Sequence, residues 1–400
     1  MTAVQSLSDA TVITTSDELR HAVERVGASG SIGMDTEFLR ERTYRARLCL
    51  VQIADVEQVW LIDPLEDLDL SGVAELIADP DIEILVHAGR QDFELFFDRF
   101  GQPPKNVYDV QIAAGFAGFG ASLPYGRLVE SVLGVTLAKG ESYTEWCRRP
   151  LTQEQLTYAA DDVRFLPAAA TRLKERIEGL GRTAWVAEEM QVLEDPTLYS
   201  VAAGDAWRKV TGRGALSGRQ MGVLVALARW REEVAAQRDI PRGWVVKDPT
   251  LIEIARRAPG NKQALERIRG LHSKEVERSG RDILAAVQRG LKSEIAPSAP
   301  QPPRDVLARA RMLSGLADAL VRARCEQAEI ATELVATRGE LEAVLTDAAR
   351  GEPEESRHRL LRGWRRDLAG AAVLELARGR IAVRAIDDPP YVEEVRLNDR

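Results

Sequence analysis

The hydrophobic period of this chain changes once along its length, and that change limits its architecture more than any other feature. Through the first half, short runs rich in β-branched residues are bounded by turn-forming residues: TVITT, SIGMDTEF, RLCLVQIAD, QVWLID and EILVHAG. Helical spacing appears between and after them, over Ser71–Ala78, Gln91–Phe100, Val110–Gly115, Leu123–Leu133, Thr152–Tyr158 and Asp162–Ile177. Strands first, then one strand set between helices, predicts a mixed sheet with helices packed on it. From Leu216 to Leu291 the spacing is helical throughout, and MGVLVALARWREEVAAQRDIP reads as one long amphipathic helix closed by Pro241. The run SEIAPSAPQPP, with four prolines, reads as an extended linker, and residues 304–385 turn helical again. The expected organisation is therefore an α/β unit over 1–200, a connection near 195–214, a helical unit over 215–294 and a second helical unit over 304–385. A faint internal repeat aligns ALARWREEVAAQRDIPRGWVVKDPTLIEI with ALVRARCEQAEIATELVATRGELEAVL, each a long helix, a short loop and a second apolar helix.

Charge follows the same division. Residues 1–200 carry net −15 and residues 215–294 net +6, within a whole-chain charge of −8. An acidic unit joined to a basic one is what carboxylate chemistry beside a phosphate-contacting surface would require. No apolar run reaches the roughly 20 residues of a membrane span, and MTAVQSLSDA lacks the features of a secretory signal. A cytoplasmic protein is expected. Cys49, Cys147 and Cys325 are far apart and never in a CxxC pair, so neither a disulfide framework nor a thiolate zinc site is expected. A metal here would be held by oxygen.

Three acidic motifs occur in order. Asp35 and Glu37 lie two apart in a predicted strand, so both carboxylates point to one face. The run HAGRQD begins as EILV ends and leads Asp92 into the first turn of a helix, where the dipole favours an acid. His87 reads as a packed or hydrogen-bonded residue, since no second histidine is near. Tyr158 and Asp162 are four apart and share one helical face, with Asp161 competing for the same role on spacing alone. Four carboxylates and one phenol converging on one pocket would suit hard divalent cations and phosphodiester cleavage.

With their surrounding text these motifs resemble the ribonuclease D family of 3′→5′ exonucleases. MDTEFLRERTYRARLCLVQIAD is similar to its first motif, HAGRQDFELFFDRFG to its second, and the stretch from YDVQIAAG to YAADDVRFL to its third. The resemblance covers roughly residues 10–180 and implies a ribonuclease-H-like fold. Its last acid stands four residues after the tyrosine and before Val, which implies Asp162 rather than Asp161. LSGRQMGVLVALARWREEVAAQRDIPRGWVVKDPTLIEIA resembles the helical HRDC domain shared with RecQ-type helicases, and the C-terminal block resembles a second copy.

The resemblance implies hydrolysis of RNA from its 3′ end, releasing nucleoside 5′-monophosphates, in transfer-RNA 3′ processing or RNA turnover. Asp35, Glu37, Asp92 and Asp162 would hold two divalent cations, Mg²⁺ or Mn²⁺, and Tyr158 would orient the attacking water. Phe38 is a candidate to stack on the terminal base and Lys139 a candidate phosphate contact. Trp244 reads either as a base-stacking residue or as core. Competing expectations are a DNA-directed exonuclease and a non-catalytic nucleic-acid scaffold. Protein partners are not indicated.

Overall fold

The computed structural model of the chain describes residues 10–40, 42–138, 145–200, 203–216, 218–293, 302–351 and 353–397. Six strands form one mixed sheet: β1 (Thr11–Ile13), β2 (Ser31–Leu39), β3 (Arg47–Ala54), β4 (Val59–Ile62), β5 (Glu83–Val86) and β6 (Val107–Asp109). Their spatial order is β1-β4-β3-β2-β5-β6. The central β2, β3 and β4 are antiparallel, while β1 joins β4, β5 joins β2 and β6 joins β5 in parallel. Strands β3 and β4 read as apolar runs because helices and sheet bury nearly every position.

Helices cover the sheet. Helix α1 (Ser16–Ser29) starts in a Thr15–Glu18 capping box, and α2 (Ser71–Ala78) and α3 (Arg90–Phe100) flank β5 in sequence. Helix α4 (Val110–Phe116) is capped by Asp109, followed by α5 (Tyr125–Leu133). Helix α6 (Gln153–Arg164) begins in a Thr152–Gln155 capping box, and α7 (Leu166–Gly179) and α8 (Thr183–Val192) complete the unit. Strand β2 passes very close to α6: a Cβ on Gly33 would lie 3.1 Å from the Val163 carbonyl oxygen. Helices α1 and α8 and strand β6 are additions to the elements expected from the sequence.

The middle unit comprises α9 (Gly218–Arg238), α10 (Arg242–Val245), α11 (Asp248–Arg257), α12 (Lys262–Glu266) and α13 (Ser273–Lys292). It has a core of its own, centred on Val223, Leu227, Leu251, Ile254, Ile283 and Val287. At Gly290 a Cβ would collide with the Val223 backbone, so only glycine lets α13 cross α9 at this depth.

The C-terminal unit comprises α14 (Arg304–Gln327), α15 (Thr332–Val335), α16 (Arg338–Ala348), a helical stretch from Gly363 to Ala377 with a π-segment at Arg366–Gly370, and a hairpin of β7 (Ile381–Ala385) and β8 (Val392–Arg396). The hairpin corrects the expectation that residues 304–385 are helical. Its turn-bound, β-branched segment IAVRA pairs with VEEVR instead of extending the preceding helix.

The buried residues of this unit continue the core of the sheet unit. Trp364 stacks on Trp185 at 5.3 Å and meets the edge of Phe116 at 5.0 Å. The Arg182 guanidinium donates to the carbonyls of Phe116, Ala328 and Glu329, tying α4 to the end of α14. No described helix is long and apolar enough to cross a membrane.

Cys49 and Cys147 are joined in a disulfide with Cα atoms 4.9 Å apart, which corrects the expectation of no disulfide. They are 98 residues apart in sequence, and only the approach of residues 145–150 to strand β3 brings them together. Cys325 is a buried free thiol.

Candidate active site

Strand β2 presents Asp35 and Glu37 on the face that α6 covers, and α6 presents Asp162 towards them. One carboxylate oxygen from each of these three residues lies within 4.8 Å of the others. Asp92, in the first turn of α3, is 6% exposed, and its carboxylate accepts a hydrogen bond from the Thr36 hydroxyl between the two β2 acids. It is not one of the group of three but is close enough for its charge to bear on Asp35 and Glu37. Tyr158, one turn before Asp162, lies close enough for its hydroxyl to act on that carboxylate, and its ring packs on Trp146 at 5.9 Å between centroids.

Burial and mutual repulsion hold protons on these acids. Asp35 is pushed well above the usual carboxylate range, first by burial and then by Asp92, Asp162 and Glu37. Glu37 is pushed up to about 8 by burial, then by Asp162 and Asp92. Asp162 rises to about 7 through burial and the Asp161 charge, against the opposing hydrogen bond from Tyr158. Asp92 rises to about 6 through burial, against the Thr36 hydrogen bond. The Tyr158 phenol is raised by burial and the neighbouring acids, so it stays protonated as a donor. An all-oxygen donor set with excess negative charge and partial burial fits hard divalent cations, whose charge would release the protons.

Asp161 is not one of the three clustered acids and pairs with Arg164 at 3.1 Å. His87 Nε2 lies 2.8 Å from the Leu123 carbonyl oxygen, a structural contact. Phe38 is half-buried beside the acids, with the Arg40 guanidinium 5.7 Å over its ring. Lys139 lies outside the described residues.

Three residues that position the site escape motif reading. Asp109 fixes the turn before α3 by accepting from the backbone N–H groups of Ala88 and Gly89, at 3.1 and 3.2 Å. It holds Ala88 at φ 58°, a strained conformation for a residue with a Cβ. Gln52 pairs in register with Asp35 on the same face, is fully buried, and neither of its amide atoms has a partner among the described residues. The signal for it was a lone polar residue inside the apolar run LCLVQIA. The third is Cys49, the extra residue of a β-bulge opposite Glu37 and Phe38. Its disulfide partner Cys147 follows Trp146, the residue packed on Tyr158.

The chain is similar to known proteins along both its sheet unit and its middle unit. Residues 10–178 match a family described as 3′–5′ exonuclease, and residues 220–287 match the HRDC domain. A ribonuclease D of Granulibacter bethesdensis is 38% identical over 377 residues, covering 93% of this chain and 94% of its own. The ribonuclease D of Escherichia coli K12 is 35% identical over 369 residues, covering 91% and 97%. The crystal structure of E. coli RNase D, described as an exoribonuclease involved in structured RNA processing, superposes with a TM-score of 0.80 at 34% identity. It covers 93% of this chain and 99% of that one.

Proposed function

The chain belongs to the ribonuclease D family of 3′→5′ exoribonucleases that use divalent metal, and from that premise we propose that Asp35, Glu37, Asp92 and Asp162 together hold two such ions, Mg²⁺ or Mn²⁺, at the RNA 3′ end. The observation that carries this assignment is the approach of Asp35, Glu37 and Asp162 to within 4.8 Å despite their charges. Bound cations would supply the charge neutralisation and water activation that phosphodiester hydrolysis needs. Asp92, braced by Thr36, completes the set of four. Tyr158 orients the attacking water, because a phenol raised above its ordinary pKa is a donor and not a base. Phe38, steadied by Arg40, stacks on the terminal base. The products are nucleoside 5′-monophosphates, and the substrates are cytoplasmic RNAs with free 3′ ends, transfer-RNA precursors among them.

The test uses the purified full chain with 3′-labelled RNA and a DNA of the same sequence, in Mg²⁺, Mn²⁺ or chelator. Release of labelled mononucleotide from RNA with metal, and none with chelator, is the expected result. Faster release from DNA would replace the substrate assignment, and release in chelator would remove the metals.

Two further outcomes are expected. Tyr158→Phe keeps the ring against Trp146 and loses only the hydroxyl, so turnover should fall on the order of 10²-fold. The rise in melting temperature on adding Mn²⁺ should match wild type, and a loss of that rise would make Tyr158 a support for metal binding instead. The second outcome concerns pH. Folded-state values of about 6, 7 and 8 at Asp92, Asp162 and Glu37 lie above those of the unfolded chain. Their contribution to stability is therefore full below about pH 4 and is lost as pH rises through 6 to 8. The metal-free melting temperature should fall across that window, and the rise produced by Mn²⁺ should grow across it. A metal-induced rise that is flat between pH 5.5 and 8.5 would contradict the assignment, those limits being about half a unit outside the three values.

A further inference from the structure

The two helical units share one design. In each, a long helix ends in a residue of positive φ (45° at Asp239, 49° at Glu329), followed by a one-turn helix and a second apolar helix. Superposing the sequences on those two residues puts Trp244 of α10 at the position of Leu334 of α15. In the second unit this junction docks on the sheet unit. The Ala331 N–H donates to the Gly115 carbonyl at 3.1 Å, and Leu334 lies so close over Gly115 that an added Cβ would come 2.7 Å from it.

In the first unit the junction also docks. The Asp239 carboxylate accepts from the Tyr44 backbone N–H at 3.1 Å, and the Tyr44 hydroxyl donates to Glu232 at 3.0 Å. Arg242 reaches the same Glu232 oxygen at 3.8 Å. Trp244, two residues further on, is open to solvent. It is 63% exposed, the highest value for any Phe, Tyr or Trp among the described residues. Val245 and Val246 beside it are buried and fix the helix turn that presents the indole outwards.

The segment that Tyr44 brings against this junction is basic. Of the eighteen Lys and Arg in the first 200 residues, four lie within residues 40–47, the connection from β2 to the first residue of β3. Arg40 is used locally, in an ion pair with Glu94 at 3.2 Å. Arg42, Arg45 and Arg47 are exposed and form no salt bridge with the described residues, although Arg45 stands in the field of Asp98. An exposed aromatic ring on one side of this contact and exposed guanidinium groups on the other suit a nucleotide base with its phosphates. A protein partner would call for a contiguous apolar patch, and the neighbours Arg242 and Gly243 do not make one.

We propose that Trp244 and the arginines of the 40–47 connection form one binding surface, across the seam between the two units, for single-stranded RNA upstream of the 3′ end being cut. A base stacks on Trp244, and Arg42, Arg45 and Arg47 hold the phosphates between it and Phe38. This inference rests on the exoribonuclease reading and extends it to how the enzyme engages the tail behind the scissile bond.

The test compares Trp244→Ala, Trp244→Phe and the double substitution Arg42→Ala/Arg45→Ala in the full chain, using oligouridylates of graded length. Binding is measured by fluorescence anisotropy with chelator present, and hydrolysis with Mn²⁺. For long oligonucleotides Trp244→Ala should weaken binding and raise KM on the order of ten-fold, with Trp244→Phe recovering most of the loss. A dinucleotide, too short to reach the seam, should be bound and cut as by wild type. The arginine pair should flatten the salt dependence, by roughly 0.7 in log–log slope for each phosphate that no longer meets a guanidinium. Unchanged affinity for long RNA in Trp244→Ala, or an equal loss for dinucleotide and long RNA, overturns the proposal. So does a loss of self-association in size-exclusion chromatography with RNA affinity intact, which would assign the indole to a protein contact. Failure of wild type to cut the dinucleotide would count against the site reading itself, which keeps the two failures apart.

Discussion

Asp35→Asn should silence hydrolysis while making the metal-free protein more stable. Asparagine keeps the shape of the side chain and removes the charge. With the charge goes the ligand that Asp35 offers between Glu37 and Asp162. Turnover should fall by at least about 10³-fold, the scale of losing a preorganised electrostatic contact at the reacting centre. Stability should move the other way. Asp35 is pressed by burial and by Asp92, Asp162 and Glu37, and each of these penalties on its charged form disappears in the variant. The gain should increase with pH, because the neighbouring acids ionise on the way to pH 8. Paired measurements of mononucleotide release and metal-free melting temperature decide the matter. A variant that is inactive and also less stable would mean that Asp35 supports the fold, and an active one would remove it from the site.

Arg365→Leu should be the most destabilising single change outside the site. The Arg365 side chain is 3% exposed, and each of its three guanidinium nitrogens donates a hydrogen bond. Two nitrogens bond the two oxygens of Glu189 at 2.5 and 2.6 Å, and Nε donates to the Leu334 carbonyl at 2.8 Å. The neighbouring Trp364 lies between Trp185 and Phe116, so the arginine sits where the C-terminal unit enters the core of the sheet unit. Removing it leaves a mostly buried carboxylate without its partner, at about 3–5 kcal/mol. Denaturant unfolding should show that loss, and adding Glu189→Leu should recover part of it because the orphaned charge is gone. A loss under about 1 kcal/mol would mean that the two units are held by the aromatic contacts alone.

How much of this could be read from the sequence depends on the range of the signal. Local patterns carried far. The two-residue spacing in MDTEF and the four-residue spacing from Tyr158 to Asp162 each fix a shared face, and helix α2 falls at Ser71–Ala78 as its spacing predicts. Helix α1 is faint because only Leu19, Ala22 and Val26 are buried among charged neighbours, although its T-x-x-E capping box was present. Long-range facts were out of reach. Nothing local joins Cys49 to Cys147, or places the Thr36 hydroxyl on Asp92. The proline-rich linker marks a boundary but carries no information on what the following helices pack against, and they return to the first unit's core. The internal repeat was visible as two helix–loop–helix patterns, but that Leu334 is covered while Trp244 stays open depends on which surface each junction meets.

The central claim is that side chains from β2, α3 and α6 gather around shared divalent cations. Anomalous diffraction from crystals of the full chain grown with Mn²⁺ tests it most directly. Peaks within coordination reach of Asp35, Glu37, Asp92 and Asp162, and their loss in Asp35→Asn, are the predicted result. A map with no peak at these four carboxylates, or with the manganese bound to another part of the surface, would contradict it.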